Sequence, residues 1–205
     1  MVQIGNELTN GLLWPSGRKL EFDRIAKYLN AGIRAVREIQ ADIPIMIHLD
    51  NGGFNEMYVE WFDEFTKRAE PIDIIGLSYY PFWHGTMEDY RDREGKPLDQ
   101  LKGMATKPEL VEKLDYPMTK EGQTSFMKDL MELIADIPGG EGFYYWEPAW
   151  IPVPGCGWAT EAALAYTGEK GPGGNEWANQ ALFDYDGNAL PALAVIRDFN
   201  RLNCK

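Results

Sequence analysis

The sequence predicts a parallel α/β fold, on three observations. Apolar runs of strand length alternate with amphipathic segments of helix length. The run at 43–49 (IPIMIHL) is apolar almost throughout, as expected of a strand covered on both faces in a parallel sheet. Polar and aromatic residues gather just after the runs, at the carboxyl ends of the strands, where such folds place their chemistry.

The elements follow in order. Residues 2–4 (VQI) form a short strand that runs into Gly5, Asn6 and Glu7. Residues 20–40 place Phe22, Ile25, Ala26, Leu29, Ile33, Val36 and Ile39 three and four apart, which is one face of a helix. The strand at 43–49 stops at a turn cluster, Asp50-Asn51-Gly52-Gly53. Tyr58, Trp61, Phe62 and Phe65 mark a helix over 57–68, with Trp61 and Phe65 expected in the core. A third strand at 72–77 (IDIIGL) leads into Ser78-Tyr79-Tyr80-Pro81. Phe126, Leu130, Leu133, Ile134 and Ile137 align on a helix over 124–137. A fourth strand at 142–146 (GFYYW) ends in Glu147-Pro148, and a last helix covers 190–202. Two segments, 87–117 and 152–175, read as long loops, the first highly charged and the second rich in Gly and Pro.

Composition narrows the partners. The 205 residues carry 32 acidic and 20 basic side chains, a net charge of −12. That balance argues against nucleic acid, whose binding draws on positive charge to displace counterions from phosphate. It also argues against an anionic membrane surface. No run of about 20 apolar residues is present, so no transmembrane helix is expected. The opening residues have neither the basic region nor the apolar stretch of a signal peptide. Cys156 and Cys204 are either one bridge or two thiols. With only His48 and His84, a His-rich metal site is not expected, and no cofactor or metal is assigned. An acidic cluster at Asp89, Asp92 and Glu94 is the one candidate for calcium, although it lacks the spacing of an EF-hand loop.

Several strand-end residues suit chemistry on a sugar. Glu7 is a candidate general acid, since a carboxyl group can protonate a leaving oxygen. Asn6 beside it can hydrogen-bond a substrate hydroxyl. The same pair also suits a polar strand end that caps the following loop. His48, Asp50 and His84 are further candidates for substrate contacts. Trp14, Tyr79, Tyr80, Trp83, Trp146, Trp150 and Trp158 offer flat faces on which the C–H face of a sugar ring can stack. Glu147 invites reading as the second carboxylate of a glycosidase, or as a structural carboxylate bonded to loop amides.

Three motifs carry a resemblance: VQIGNELTNGLLWP at 2–15, DIIGLSYYPFWHG at 73–85 and FYYWEPAWI at 143–151. Together they resemble glycoside hydrolase family 53, the endo-β-1,4-galactanases of arabinogalactan. The resemblance implies a (β/α)8 TIM barrel, here incomplete, with the fourth, fifth, sixth and eighth barrel strands present in one domain spanning 1–205. It implies hydrolysis with retention, Glu7 as acid/base, Asn6 as the Asn before it, a polysaccharide substrate and an extracellular setting. It places Glu147 on the eighth strand, away from the nucleophile position. The seventh strand, which should end in the nucleophilic Glu, is missing, and the motif after Thr86 runs directly into Met87, so an internal gap is expected near 86–87. The alternative is an inactive carbohydrate-binding remnant or incomplete gene product.

Overall fold

The computed structural model describes residues 1–80, 116–117, 119–149, 165–166, 181–184 and 186–203. The chain divides into two compact units, Met1–Lys102 and Gly103–Lys205. All of the predicted loops at 87–117 and 152–175 except residues 116–117 and 165–166, together with the acidic cluster and both cysteines, lie outside the described residues.

The first unit is built on a parallel sheet. Strands β1 (Val2–Gln3), β4 (Ile45–Leu49) and β5 (Ile74–Leu77) lie in the order β1-β4-β5, all parallel, with Val2 opposite Ile45 and His48 opposite Gly76. Between β1 and β4 run a hairpin not anticipated from the sequence, β2 (Gly11–Leu12) with β3 (Gly17–Arg18), and helix α1 (Phe22–Ile39). Helix α2 (Asn55–Thr66) joins β4 to β5.

One face of the sheet carries the core. Ile47 and Leu49 from β4 meet Ile25, Ala26 and Leu29 from α1 and Trp61, Phe62 and Phe65 from α2. Complete burial of such side chains contributes about 1.5–3 kcal/mol each. The predicted core roles of Trp61 and Phe65 hold. Two expectations need correction. First, β4 is not covered equally on both faces: Ile45, Ile47 and Leu49 are fully buried, while Met46 and His48, on the alternate face, are half-buried. Both helices of the cluster pack against the same side, so the period of two separates core from site. Second, Ile39 is 87% exposed although it lies on the apolar stripe of α1. An 18-residue helix spans about 27 Å and a five-residue strand about 17 Å, so the last helical turn overhangs the sheet.

The amino end of the sheet is stapled by charge. Asp73 accepts from the Ile45 backbone N–H at 2.8 Å and from Arg37 Nη2 at 2.6 Å, and Arg37 Nη1 donates to the carbonyls of Ala41 and Ile43. The Ile45 N–H, with Arg37, holds the Asp73 carboxyl below its ordinary value.

In the second unit, helices α3 (Lys120–Asp136) and α4 (Pro191–Asn203) pack together around Met127, Leu182 and Ala192. Helix α3 starts four residues before the predicted point, where Thr119 Oγ1 accepts from Gly122 N as an N-cap. Its most buried side chains are Met127 and Met131, with the predicted Phe126 packed beside Met127. Unbranched methionine fills an irregular gap that a pattern of Leu, Ile and Phe does not reveal. The expected strand at 142–146 has no ladder partner among the described residues. It still alternates: Phe143 and Tyr145 pack on the Met127 cluster, while Tyr144 and Trp146 stand out.

Candidate functional site

The site of the first unit lies at the carboxyl ends of β1, β4 and β5. The chain leaves β1 through Gly5 in a positive-φ conformation and reaches Glu7 at φ 50°, ψ 53°, the left-handed region that costs a non-glycine residue about 1–2 kcal/mol. That turn aims the Glu7 backbone N–H at His48 Nδ1, 3.1 Å away. His48 projects from the face of β4 opposite the core, and its other ring nitrogen, Nε2, lies 3.1 Å from Ser78 Oγ. Ser78 follows β5 directly, and its hydroxyl donates to Glu7 Oε1 at 2.7 Å. Three strand ends are thereby joined in a closed ring of hydrogen bonds.

The ring fixes its own protonation. Nδ1 accepts, so the proton of neutral His48 lies on Nε2, which donates to Ser78 Oγ. Burial holds the imidazole below its ordinary pKa, against the opposing pull of the Glu7 and Asp50 carboxylates. This arrangement also excludes a superficially similar chemistry. In a Ser-His-acid triad the imidazole accepts the serine proton and donates to the acid. Here the imidazole nitrogen facing Ser78 already carries a proton, and the carboxylate contacts the serine. Ser78 therefore has no base within the ring, and Glu7, whose carboxylate accepts from it, is exposed.

Glycine makes the close approach possible. Gly76 lies opposite His48, and a Cβ there would sit 2.6 Å from Met46 Sδ and 3.2 Å from His48 Cδ2. The neighbouring backbone is equally fixed: Ser78 N donates to Leu49 O and Gly52 N to Ser78 O.

The sequence candidates fall out as follows. Asn6, His48 and Asp50 lie at these strand ends together with Glu7. Asn6 Oδ1 accepts from Gln3 Nε2 at 3.1 Å. Asp50 Oδ2 accepts from Asn51 Nδ2, while Asp50 Oδ1 is buried with no hydrogen-bond partner among the described residues, an acceptor left open at the strand end. Tyr79 and Tyr80 follow Ser78 and are half-buried. Trp14, in the hairpin, is exposed under the guanidinium of Arg18. Trp146 belongs to the second unit and is 64% exposed, and Glu147 follows it at φ 52° with its side chain in solvent. Trp83, His84 and Trp150 lie outside the described residues. The residue that sequence reasoning missed is Ser78. Its only signal was position: a hydroxyl directly after a buried-type strand.

No group of three or more His, Cys, Asp or Glu side chains suited to a metal occurs among the described residues. Among the same residues, no helix is long and apolar enough to cross a membrane.

The chain matches glycosyl hydrolase family 53 over residues 1–102 and 93–196. It is 32% identical to an endo-β-1,4-galactanase of Bacillus subtilis over 96% of its own length and 54% of the relative's. It is 33% identical to an arabinogalactan endo-β-1,4-galactanase A of Aspergillus niger over 74% of its length and 49% of that protein. The chain thus spans about half the length of these curated relatives. Among solved structures, the family 53 catalytic domain of Ignisphaera aggregans is similar at 35% identity and a TM-score of 0.74, covering 95% of this chain and 57% of that one. A fungal β-1,4-galactanase structure is similar at 26% identity and a TM-score of 0.66, covering 96% of this chain and 61% of that one. The parallel strands, the intervening helices and these partial likenesses agree with an incomplete α/β barrel. By the family match over nearly its whole length, the chain belongs to glycosyl hydrolase family 53.

Proposed function

We propose that the chain carries the acid/base half of a retaining endo-β-1,4-galactanase site, with Glu7 as the proton-transfer carboxyl. The observation that carries this reading is the placement of Glu7. Its backbone is held in a left-handed turn at a strand end, one carboxyl oxygen is tethered by Ser78, and the residue remains open to solvent. A galactan chain lying over the strand ends would meet Glu7 at a glycosidic oxygen. Glu7 would protonate the leaving oxygen, then take a proton from the attacking water. Asn6 would donate bonds to sugar hydroxyls or accept them, and the Asp50 carboxylate would accept them. Tyr79, Tyr80, Trp83 and His84 are proposed as stacking and polar contacts, with His48 acting from beneath, and Trp146 and Trp150 as sugar-stacking faces of their own unit. No cofactor forms part of this proposal, and the acidic cluster Asp89, Asp92 and Glu94 is the one calcium candidate that the sequence offers. The galactanase relatives, whose substrate is a polymer, support an extracellular setting.

The retaining reaction also needs a nucleophilic carboxylate about 5 Å from the acid/base. We place its absence at an internal gap near 86–87. The alignment to the Bacillus subtilis relative runs over 235 positions, more than the 205 residues of this chain, and the family match comes in two pieces that overlap at 93–102. Both support residues missing from within the chain. The decisive experiment measures binding of β-1,4-galactan and release of reducing ends by the purified chain and by Glu7→Gln. Binding with turnover depressed by a factor of about 10⁴ or more relative to a complete family member is expected, because the covalent step lacks its partner. Glu7-dependent turnover at the rate of a complete enzyme would overturn the missing nucleophile. Failure to bind galactan would overturn the substrate assignment.

A further inference from the structure

We propose that His48 and Ser78 are positioning residues for Glu7, acting as a relay of fixed direction: Glu7 N–H to His48 Nδ1, His48 Nε2–H to Ser78 Oγ, and Ser78 O–H to Glu7 Oε1. The inference rests on Glu7 being the proton-transfer carboxyl, and it adds the device that aims it.

Directionality is the core of the argument. A serine hydroxyl has one hydrogen and can point it at either neighbour. Left free, it would present a donor to Glu7 in one state and to His48 in the other. The backbone N–H of Glu7 removes that freedom. By donating to Nδ1 it forces the ring proton onto Nε2, Nε2–H occupies a lone pair of Ser78, and the hydroxyl hydrogen has only Glu7 Oε1 to meet. Glu7 thus sets, through its own main chain, the donor that holds its side chain. The left-handed backbone at Glu7 is what turns that N–H toward the ring. A residue held in a costly conformation at a site is supported by its surroundings for a reason. The relay supplies one, because an extended turn would point the N–H elsewhere.

The supports of the relay do not depend on the relay. Ser78 is fixed by its own main chain, bonded to Leu49 on one side and Gly52 on the other. His48 sits in the ladder opposite Gly76, where only glycine leaves it room. Removing the Ser78 hydroxyl therefore leaves the sheet intact and releases Glu7 alone. The consequence for a glycosidase is steric as much as electrostatic. With Oε1 tethered, the carboxyl presents Oε2 in one orientation, and a proton-transfer group misplaced by about 1 Å loses on the order of 10²-fold in rate.

The test uses the intact chain labelled with ¹⁵N and ¹³C, at pH 7.5. Long-range ¹H–¹⁵N correlations of the imidazole should show His48 as the Nε2–H tautomer. Side-chain three-bond couplings should show Glu7 in one χ1 rotamer. In Ser78→Ala the couplings should average while the His48 tautomer and the amide pattern of β4 and β5 stay unchanged. Ser78→Thr, which keeps the hydroxyl, should restore the single rotamer. A purely structural Ser78 would leave the couplings of Glu7 unmoved in Ser78→Ala, and that result would overturn the proposal. So would an Nδ1–H tautomer. None of these readings involves galactan, so a chain that neither binds nor cleaves the polymer defeats the proposed function while leaving the relay to stand or fall by its own spectrum.

Discussion

Two carboxylates in this chain share a local setting and differ in almost everything else. Glu7 and Glu147 each follow a short apolar run, and each has a left-handed backbone, at φ 50° and 52°. Around Glu7 the run is a true strand: Val2 and Ile4 donate to the carbonyls of Pro44 and Met46, and two further strands extend the sheet. Around Glu147 the run keeps the alternation of a strand but gains no ladder among the described residues. The Glu7 side chain is tethered by Ser78, whereas that of Glu147 stands in solvent. Local sequence therefore sets the backbone of a strand end, but the neighbouring strand decides whether a carboxylate there is aimed. A parallel strand cannot supply its own neighbour, since its partner lies a whole crossover away.

The largest effect should come from the buried face that supports the first of these carboxylates. Ile47→Ala removes a fully buried side chain between α1 and α2 and should cost about 2–5 kcal/mol. Phe143→Ala touches only the rim of the Met127 cluster and should cost clearly less. Denaturant unfolding followed by labels in each unit measures both. Equal costs would break the contrast between a laddered strand and an unpaired one.

A smaller and more local effect is expected at Gly76. The Gly76→Ala methyl would collide with Met46 Sδ and with the edge of the His48 ring. The flexible methionine can move aside, but the ring is pinned at both nitrogens. We expect a loss of about 1–3 kcal/mol, the usual range for an overpacked site, together with displacement of His48. Loss of the His48-to-Glu7 amide coupling by NMR checks it. A variant that keeps that coupling and loses stability alone would show that the glycine serves packing and not the site.

Much of this was legible in the sequence, and the failures share a cause. The parallel strands at 2–4, 43–49 and 72–77 were legible in position because short apolar runs stand between helical patterns, but only β4 is buried along a face: Ile75 and Leu77 of β5 are 53% and 41% exposed. Helices α1 and α2 were legible from the helical spacing of their apolar residues. Glu7, Asn6, His48 and Asp50 were legible as strand-end residues. Ser78 was not, because its role comes from two partners 30 and 71 residues away. The half-burial of His48 and the overhang of Ile39 were hidden likewise, since both depend on the relative lengths and sides of packed elements. The Met127–Met131 seam escaped a search tuned to branched and aromatic side chains.

The smallest effect separates the two carboxylates by pH. His48 has a depressed pKa in the folded chain, mainly because burial disfavours the charged ring, with Glu7 and Asp50 pulling the other way. The unfolded chain titrates near 6.5. Below that value the unfolded state binds the proton more readily, so this contribution to stability is complete above about pH 6.5 and declines as pH falls toward the folded midpoint. Protonation also changes the geometry. A proton on Nδ1 faces the Glu7 N–H, donor against donor, and the relay opens. Lowering pH from 8 to 5 should therefore move the Glu7 amide resonance with a midpoint below 6.5, and should leave the Glu147 amide in place, since no imidazole adjoins it among the described residues. His48→Asn, whose Oδ1 can take the place of Nδ1 but cannot be protonated there, should flatten the Glu7 curve. A Glu7 amide resonance that still moves with pH in this variant would remove the imidazole from the account.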